Sequence, residues 1–238
     1  MTDYAHYFHN KKIISLFGAT PHFTTVGPYQ TTGGWWIPLY PDMRKMYTKP
    51  GNIQIVAREL ARIIRQHRIT SDVIVGCATA GIPIATALAL LLRKPFLYVR
   101  KDPKKGGLGQ AVEGNVPSIK KGSRALIIDD ATANGTSKKK FVRNVRATGF
   151  TVTDLMVVAH RGSPGADRWT KSLRVRLWSM CSLDEIMTAQ YQHGFISAEG
   201  LQLMRWYVRY PNYWHQDTAK WTYFRAYLRK HRKGSTRV

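Results

Sequence analysis

ALIIDDATANGTS, residues 125–137, is the most informative stretch of this sequence. Its four apolar residues, Ala125 to Ile128, predict a buried strand, and two acids follow at the carboxyl end of that strand. The stretch then changes to small and hydroxylic residues and reaches the start of a predicted helix, Gly135 to Ala147. Backbone N–H groups in a tight glycine-containing turn and at a helix N-terminus favour a bound anion, and hydroxyl groups add donors. The stretch therefore predicts a phosphate cradle with two carboxylates beside it.

Around this stretch the chain alternates between strand and helix patterns. Strands are predicted at residues 73–75, 96–99 and 152–158, with an edge strand at Leu173 to Trp178. Helices are predicted after an N-cap at Asn52, from Ile82, from the capping box Ser182 to Glu185, and from about Ser197. This alternation predicts an α/β fold, a mostly parallel sheet with helices on both faces, in which ligands bind beyond the carboxyl ends of the strands.

Composition excludes several classes of protein. The 238 residues are 44% hydrophobic, which is enough for a globular core and excludes a wholly disordered chain. The longest apolar run, Ile82 to Leu92, is too short to span a bilayer, so no membrane partner is expected. The N-terminus lacks the pattern of a signal peptide. Two cysteines, Cys77 and Cys181, do not make a disulfide framework, which favours a reducing, cytoplasmic location.

The charge is strongly positive. Lys and Arg number 37 against 14 Asp and Glu, a formal net charge of +23, which predicts a polyanionic partner. Both the body and the tail are basic. Aromatic residues alternate with cations in residues 206–237, a mixture that fits either single-stranded nucleic acid or a helix that docks on the body. The helical spacing of Trp221, Phe224 and Leu228 favours docking for residues 206–228, and a disordered end is expected beyond them.

Four segments, in their order along the chain, resemble the motifs of type I phosphoribosyltransferases. Residues 76–83 (GCATAGIP) are similar to the diphosphate-binding loop, residues 98–114 to the mobile catalytic loop of orotate phosphoribosyltransferase, residues 125–137 to the phosphoribosyl-diphosphate (PRPP) motif, and His160-Arg161 to that enzyme's Asp-Arg pair. The resemblance covers roughly residues 50–205. It implies a domain of residues 1–205, with a small N-terminal hood at about 1–50 and a core at about 51–180. The aromatic and basic extension of residues 206–238 follows it.

The resemblance also implies a reaction. Ribose 5-phosphate would pass from PRPP, bound with Mg²⁺, to a nucleobase, giving orotidine 5′-monophosphate and diphosphate if the base is orotate. It implies a homodimer in which the loop from Arg100 to Glu113 reaches the neighbouring subunit's site. Such a cationic loop, rich in glycine, could close over the departing diphosphate, although a solvated charge run is its alternative interpretation.

Site residues carry over position by position. The expected catalytic residues are Lys104, Asp129 and Asp130, and the expected base-binding residues are Arg161 and Ala133. No direct protein ligand to a metal is assigned. The expected PRPP-binding residues are Arg100, Lys101, Lys105, Ala78, Thr79, Ala80, Ala131, Thr132, Ala133, Asn134, Gly135, Thr136 and Ser137. A bound anion would also offset the cations Lys138, Lys139 and Lys140 at the start of the following helix.

The departures from the family pattern concern the base and the loop. Ala133 and Asn134 replace two threonines, Gly106 replaces a histidine, and His160 replaces an aspartate. Residues 31–36 are a loose counterpart of a base-binding segment, without its lysine. These changes leave open a second hypothesis, in which the same fold takes a different base or acts without catalysis as a nucleic-acid-binding or regulatory module.

Overall fold

A computed structural model describes residues 4–31, 34–103, 109–162 and 168–231. In chain order its helices and strands are β1 (Ala5–Tyr7), α1 (Lys11–Gly18), β2 (Thr24–Gln30), β3 (Trp36–Pro41), α2 (Pro50–Gln66), β4 (Val73–Cys77), α3 (Gly81–Leu92), β5 (Phe96–Val99), β6 (Val112–Glu113), β7 (Arg124–Thr132), α4 (Thr136–Ala147), β8 (Thr151–His160), α5 (Arg168–Leu173), β9 (Arg176–Ser182), α6 (Leu183–Gln192), α7 (Ala198–Arg209) and α8 (Thr218–His231). Short 3₁₀ helices occupy Met43–Thr48 and Val116–Ser118.

Seven of these strands form one sheet in the order β1-β9-β8-β7-β4-β5-β6. Every neighbouring pair is parallel except β5 and β6. Apolar residues fill β4 and most of β7 and β8 because both faces of the sheet are covered. The predicted α/β class is confirmed. The hairpin of β2 and β3 forms a separate two-stranded sheet within the first 50 residues, the segment predicted as a hood and called the hood below.

Two apolar layers cover the sheet. One face packs against α4 and α5 through residues such as Phe141, Val145 and Trp169. The other face packs against a larger layer made by the hood, α2, α3 and the C-terminal helices. The carboxyl ends of the central strands therefore open between α4 on one side and the hood on the other.

The strand within the PRPP-like stretch is longer than predicted. The strand does not end at Ile128, since β7 runs to Thr132 and pairs with β8 as far as Thr132 opposite His160. The predicted edge strand from Leu173 to Trp178 is wrong. Leu173 ends α5, and β9 is an interior strand because the three-residue β1 pairs with its outer side. Nothing in so short a segment as β1 indicates this pairing in advance.

Two helices also differ from prediction. Asn52 is not an N-cap, since α2 begins at Pro50, whose fixed φ suits the first helical position. Helix α3 is buried on one face only, that of Ile84, Ala85, Leu88 and Ala89, whereas Leu90 is 75% exposed and Leu91 47% exposed. These two leucines lie outside the buried face of the helix, although Leu92 after them packs against the core.

The C-terminal extension docks on the body, as its spacing predicts. Trp214, Phe224 and Tyr227 are buried, and Trp214 Nε1 donates a hydrogen bond of 2.7 Å to the backbone oxygen of Trp36. Helix α7 crosses residue 205, so a domain division there stays a proposal. Helix α8 continues to His231, whereas the sequence predicts disorder from Leu228; residues 232–238 lie outside the described part. Within the described residues, no helix combines the length and apolar character needed to cross a membrane.

Candidate active site

The two carboxylates of the PRPP-like stretch lie on opposite faces of β7. Strand alternation directs Asp129 toward α4 and Asp130 toward the hood. Asp129 is buried and forms an ion pair with Lys138 Nζ, in which the Asp129 side chain is 7% exposed and that of Lys138 5%. Burial alone would lower the pKa of Lys138, but the neighbouring carboxylate of Asp129 outweighs it and the pKa is raised. Lys138 is therefore a charged ammonium turned into the protein.

Asp130 faces a cavity of about 430 Å³ at the carboxyl end of the sheet. Its carboxylate accepts a hydrogen bond of 2.6 Å from the backbone N–H of Ala131. Burial, together with the neighbouring Asp129, raises the pKa of Asp130 to about 7. Within the described part of the chain, Asp130 is the acid that has no ion-pair partner. It is thus the carboxylate available to a ligand in this cavity.

The predicted phosphate cradle lines the same cavity. Its lining residues include Ala131, Thr132, Ala133, Asn134, Gly135, Thr136 and Ser137. Gly135 has φ +75°, and a Cβ there would lie 2.1 Å from Trp169 Nε1, so only glycine fits. The Thr132 Oγ1 atom is buried without a hydrogen-bond partner among the described residues. A buried hydroxyl of this kind supplies a donor for a ligand oxygen.

Arg161, which the sequence predicts to bind the base, also lines this cavity. It is buried, and its guanidinium lies 4.4 Å from the centre of the Trp35 ring and 5.3 Å from that of Tyr207. Arg161 Nη1 donates a hydrogen bond of 3.2 Å to the Tyr207 hydroxyl. The planar cation is held between two aromatic rings, an arrangement that fixes its orientation. Ala133 also lines the cavity, whereas Trp36 packs into the core.

His160, next to Arg161 in the chain, makes contacts with Tyr7 and with the backbone of Cys181. Its ring stacks on Tyr7 at 4.0 Å, and its Nδ1 is 3.0 Å from the backbone oxygen of Cys181. Sequence reasoning missed other lining residues, namely Gln30, Ile37, Tyr40, Met43, Leu183 and Tyr207. They come from the hood and from the helices after β9. No local motif marks them, because their position depends on packing between distant segments.

The loop of Ala78, Thr79 and Ala80 joins β4 to α3, next to β7. Gly81 allows this approach, since a Cβ there would lie 2.6 Å from the Ile128 backbone oxygen. The Tyr47 hydroxyl donates to the Ala80 backbone oxygen. The loop residues do not themselves line the cavity among the described residues. Burial raises the pKa of the Cys77 thiol well above its usual range, which disfavours the thiolate that a nucleophile would need.

The cationic loop is described at its two ends. Arg100 donates from Nε to Glu113 at 2.9 Å, so β6 holds this side chain away from the cavity. The backbone oxygen of Lys101 accepts from Asn144, 3.3 Å away. Lys104, Lys105 and Gly106 lie outside the described residues, and so do Thr32 and Gly33 of the hood segment. The cluster Lys138 to Lys140 does not face an anion as a unit, because Lys138 pairs with Asp129 and Lys140 with Asp102.

Comparison with known proteins gives consistent matches. The profile of the family described as "Phosphoribosyl transferase domain" matches residues 43–179. An orotate phosphoribosyltransferase from Porphyromonas gingivalis is 32% identical over 187 residues, which cover 79% of this chain and 88% of that protein.

Solved structures resemble the fold as well. An orotate phosphoribosyltransferase from Aeropyrum pernix superposes with a TM-score of 0.61 at 30% identity, covering 78% of this chain and 98% of that chain. The UMP synthase of Leishmania donovani superposes with a TM-score of 0.70 at 25% identity over 83% of this chain. This chain spans 41% of the length of that synthase chain.

Proposed function

The chain belongs to the phosphoribosyl transferase family, in its group of orotate phosphoribosyltransferases, and on that premise we propose that it transfers ribose 5-phosphate from PRPP to orotate. The products would be orotidine 5′-monophosphate and diphosphate. One observation carries the proposal: the phosphate cradle, the carboxylate of Asp130 and the guanidinium of Arg161 line one cavity of about 430 Å³. A phosphorylated sugar and a planar anionic base need these three groups together.

The residues divide the substrate between them. The backbone N–H groups and hydroxyls from Thr132 to Ser137 would hold the 5′-phosphate, and Asp130 would accept hydrogen bonds from the ribose hydroxyls. The guanidinium of Arg161 would pair with the carboxylate of the base, for which its planar fork is suited. Ala133, between cradle and base, leaves room for the ring because its side chain is a single methyl group.

The chemistry then needs mainly orientation and charge. The base nitrogen forms its bond to the anomeric carbon while the bond to diphosphate breaks and its electron pair leaves with the diphosphate, whose oxygens can accept the proton that the base nitrogen loses. Positive charge develops on the ribose ring and negative charge on the leaving group. We assign the stabilisation of the leaving group's negative charge to Lys104, with Arg100, Lys101 and Lys105. For this role Arg100 would have to exchange Glu113 for diphosphate.

Magnesium fits this site as a partner of the substrate. Within the described residues no group of three or more His, Cys, Asp or Glu side chains could hold a metal ion. Mg²⁺ prefers oxygen ligands and keeps several of its waters, so PRPP oxygens and the Asp130 carboxylate would hold it. When bound, it would neutralise charge on the diphosphate.

A homodimer is part of the proposal. The end of α3 exposes Leu90 and Leu91, and Ile82, Pro83 and Ala87 on the same helix are partly exposed. An apolar surface of this kind supports pairing with a second copy, which would bring the Arg100–Glu113 loop to the other subunit's site. A cytoplasmic location is also proposed, since Cys77 and Cys181 are both free thiols.

The test is an assay of the purified full chain with PRPP, Mg²⁺ and orotate, followed by the loss of orotate absorbance. Turnover that requires PRPP would support the proposal, and Asp130→Asn should abolish it. If orotate is not turned over but another base from a panel is, the proposed transferase activity would stand and orotate as its substrate would be overturned. No turnover with any base would overturn the enzyme and support the non-catalytic alternative.

A further inference from the structure

Nearly all of the described acidic residues form ion pairs with basic side chains of the same chain. Asp3 and Asp167 lie outside the described residues, and eleven of the other twelve acids form an ion pair with a basic side chain. The twelfth, Asp130, faces the candidate active site. The described acids therefore cannot neutralise the surplus of Lys and Arg over Asp and Glu. The negative charges that neutralise it must belong to other molecules or ions.

Six basic side chains that form no ion pair with a described acid lie on one surface, which we call the α4–α5 basic face. All of its members are exposed, and none forms an ion pair with a described acid. They are Lys120, Lys121, Arg143, Arg168, Lys171 and Arg174. Of the acids along this part of the chain, Asp102 is paired with Lys140, Glu113 with Arg100 and Asp154 with Arg176, while Asp167 lies outside the described residues.

The face is continuous because the two helices pack on the same side of the sheet. Phe141 and Val145 of α4 share an apolar layer with Trp169 of α5, which leaves the opposite sides of both helices to solvent. Arg146 Nη2 joins the helices by donating to the Leu173 backbone oxygen at 2.8 Å.

The remaining cations extend this surface at one end. The aliphatic stem of Lys121 would lie 3.4 Å from a Cβ at Gly149, just beyond the end of α4. Along α5 and at its end, Arg168, Lys171 and Arg174 recur every third residue, with a rise of about 4.5 Å between neighbours. These three cations follow one another along α5 as a row, so the face suits a row of charges better than a single small anion.

The chemistry of the surface favours one kind of polyanion. Among the described residues, none of the exposed large hydrophobic side chains belongs to α4, α5 or residues 116–124. A membrane-binding surface normally adds such side chains to its cations. Exposed aromatic rings that could stack on unpaired bases are absent from the same described segments, so contact would be with phosphates.

We propose that the α4–α5 basic face binds the phosphate backbone of nucleic acid, with preference for a duplex and without sequence specificity. This property does not depend on the transferase reaction. The C-terminal extension is a weaker candidate for the same role. Its Trp214 and Phe224 are buried, and two of its cations are paired, Lys220 with Asp217 and Lys230 with Glu199.

The test compares two triple variants of the full chain with equal change in charge. Arg143→Glu/Arg168→Glu/Lys171→Glu alters the face. Arg65→Glu/Arg225→Glu/Arg229→Glu alters three exposed cations elsewhere. Binding of a 20-base-pair duplex, of single-stranded DNA of the same sequence, of polyglutamate and of phosphatidylserine vesicles is measured by anisotropy or sedimentation at several salt concentrations. Thermal unfolding checks that both variants are folded.

We expect the wild type to bind the duplex with an affinity that falls steeply with salt. The face variant should bind at least about 10-fold more weakly and with a smaller salt slope, while the control variant stays within about 3-fold of the wild type. Equal losses in both variants would overturn the assignment to this face. Tighter binding to single strands, or equal binding to vesicles or polyglutamate, would overturn the choice of duplex nucleic acid, and so would no binding.

Discussion

Lys138 Nζ pairs with the Asp129 carboxylate inside the protein, directly behind the carboxylate of Asp130 that faces the cavity. A lysine in the first turn of α4 opposes the helix dipole, and its burial costs further free energy. Asp129 offsets both costs. The pair therefore holds a positive charge next to two adjacent carboxylates, and this charge favours the ionised form of Asp130.

A double-mutant cycle tests this relationship. Lys138→Met keeps the length of the side chain but leaves Asp129 buried without a counter-charge, so we expect it to destabilise the fold by about 3–5 kcal/mol in urea denaturation. Asp129→Asn/Lys138→Met removes both charges and should recover most of that loss. The more exposed neighbour supplies the control, since Lys139→Met should change stability by less than about 0.5 kcal/mol. Additive losses in the double variant would contradict the pairing.

The pH dependence of stability tests Asp130. Its pKa is about 7 in the folded chain and near 3.8 when unfolded, so between these values the folded state binds the proton more tightly. The stability contributed by this proton is fully present below about pH 4 and is lost as the pH rises to about 7. Asp130→Asn should therefore raise the Tm at pH 8 relative to wild type and leave it nearly unchanged at pH 4.

Asp130 should affect activity in the opposite direction to stability as the pH rises. Binding of ribose hydroxyls needs the ionised carboxylate, so kcat/KM for PRPP should rise through about pH 7 in the wild type. Charged and titratable groups that interact with Asp130 are Asp129, Lys138, Tyr40, Tyr47, Arg44 and Cys77. The stability measurement is free of substrate and so separates Asp130 from the titration of PRPP. An unchanged Tm difference between wild type and Asp130→Asn across this range would refute the shifted pKa.

Tyr207 positions Arg161 through a single hydrogen bond and a ring contact. Tyr207→Phe removes the 3.2 Å bond and keeps the ring, so the KM for orotate should rise by about 2- to 10-fold while the KM for PRPP stays the same. Arg161→Lys should raise the KM for orotate further, because an ammonium cannot replace the planar fork. The control is Tyr210→Phe, which alters an exposed hydroxyl nearby in the chain. A parallel rise in both KM values would indicate a general structural role for Tyr207.

Local sequence predicted what depends on local chemistry. The capping box at Ser182 and the helix face of Trp221 and Phe224 follow from residue types at fixed short spacings, and the structure contains them where expected. The interior position of β9, the inward turn of Lys138 and the contribution of Tyr207 could not be predicted in this way. Each depends on a partner distant along the chain or on how two elements pack, which hydrophobic periodicity does not record.

Gly135 is the position where the cradle depends most sharply on backbone geometry. Gly135→Ala would place a methyl group within 2.1 Å of Trp169 and would also hold φ near +75°, a value that costs alanine about 1–2 kcal/mol. Gly122 is a matched control, since it has φ +84° and a Cβ added there would meet no atom within 4 Å. Gly122→Ala should therefore show the backbone cost alone, and Gly135→Ala that cost plus the displacement of Trp169. We expect PRPP binding, measured by calorimetry, to be lost in Gly135→Ala and to be retained in Gly122→Ala. Equal stability and equal PRPP affinity of the two variants would contradict this prediction. They would show that Trp169 can move aside without disturbing the cradle, and that the close packing of α4 on α5 does not shape the cradle.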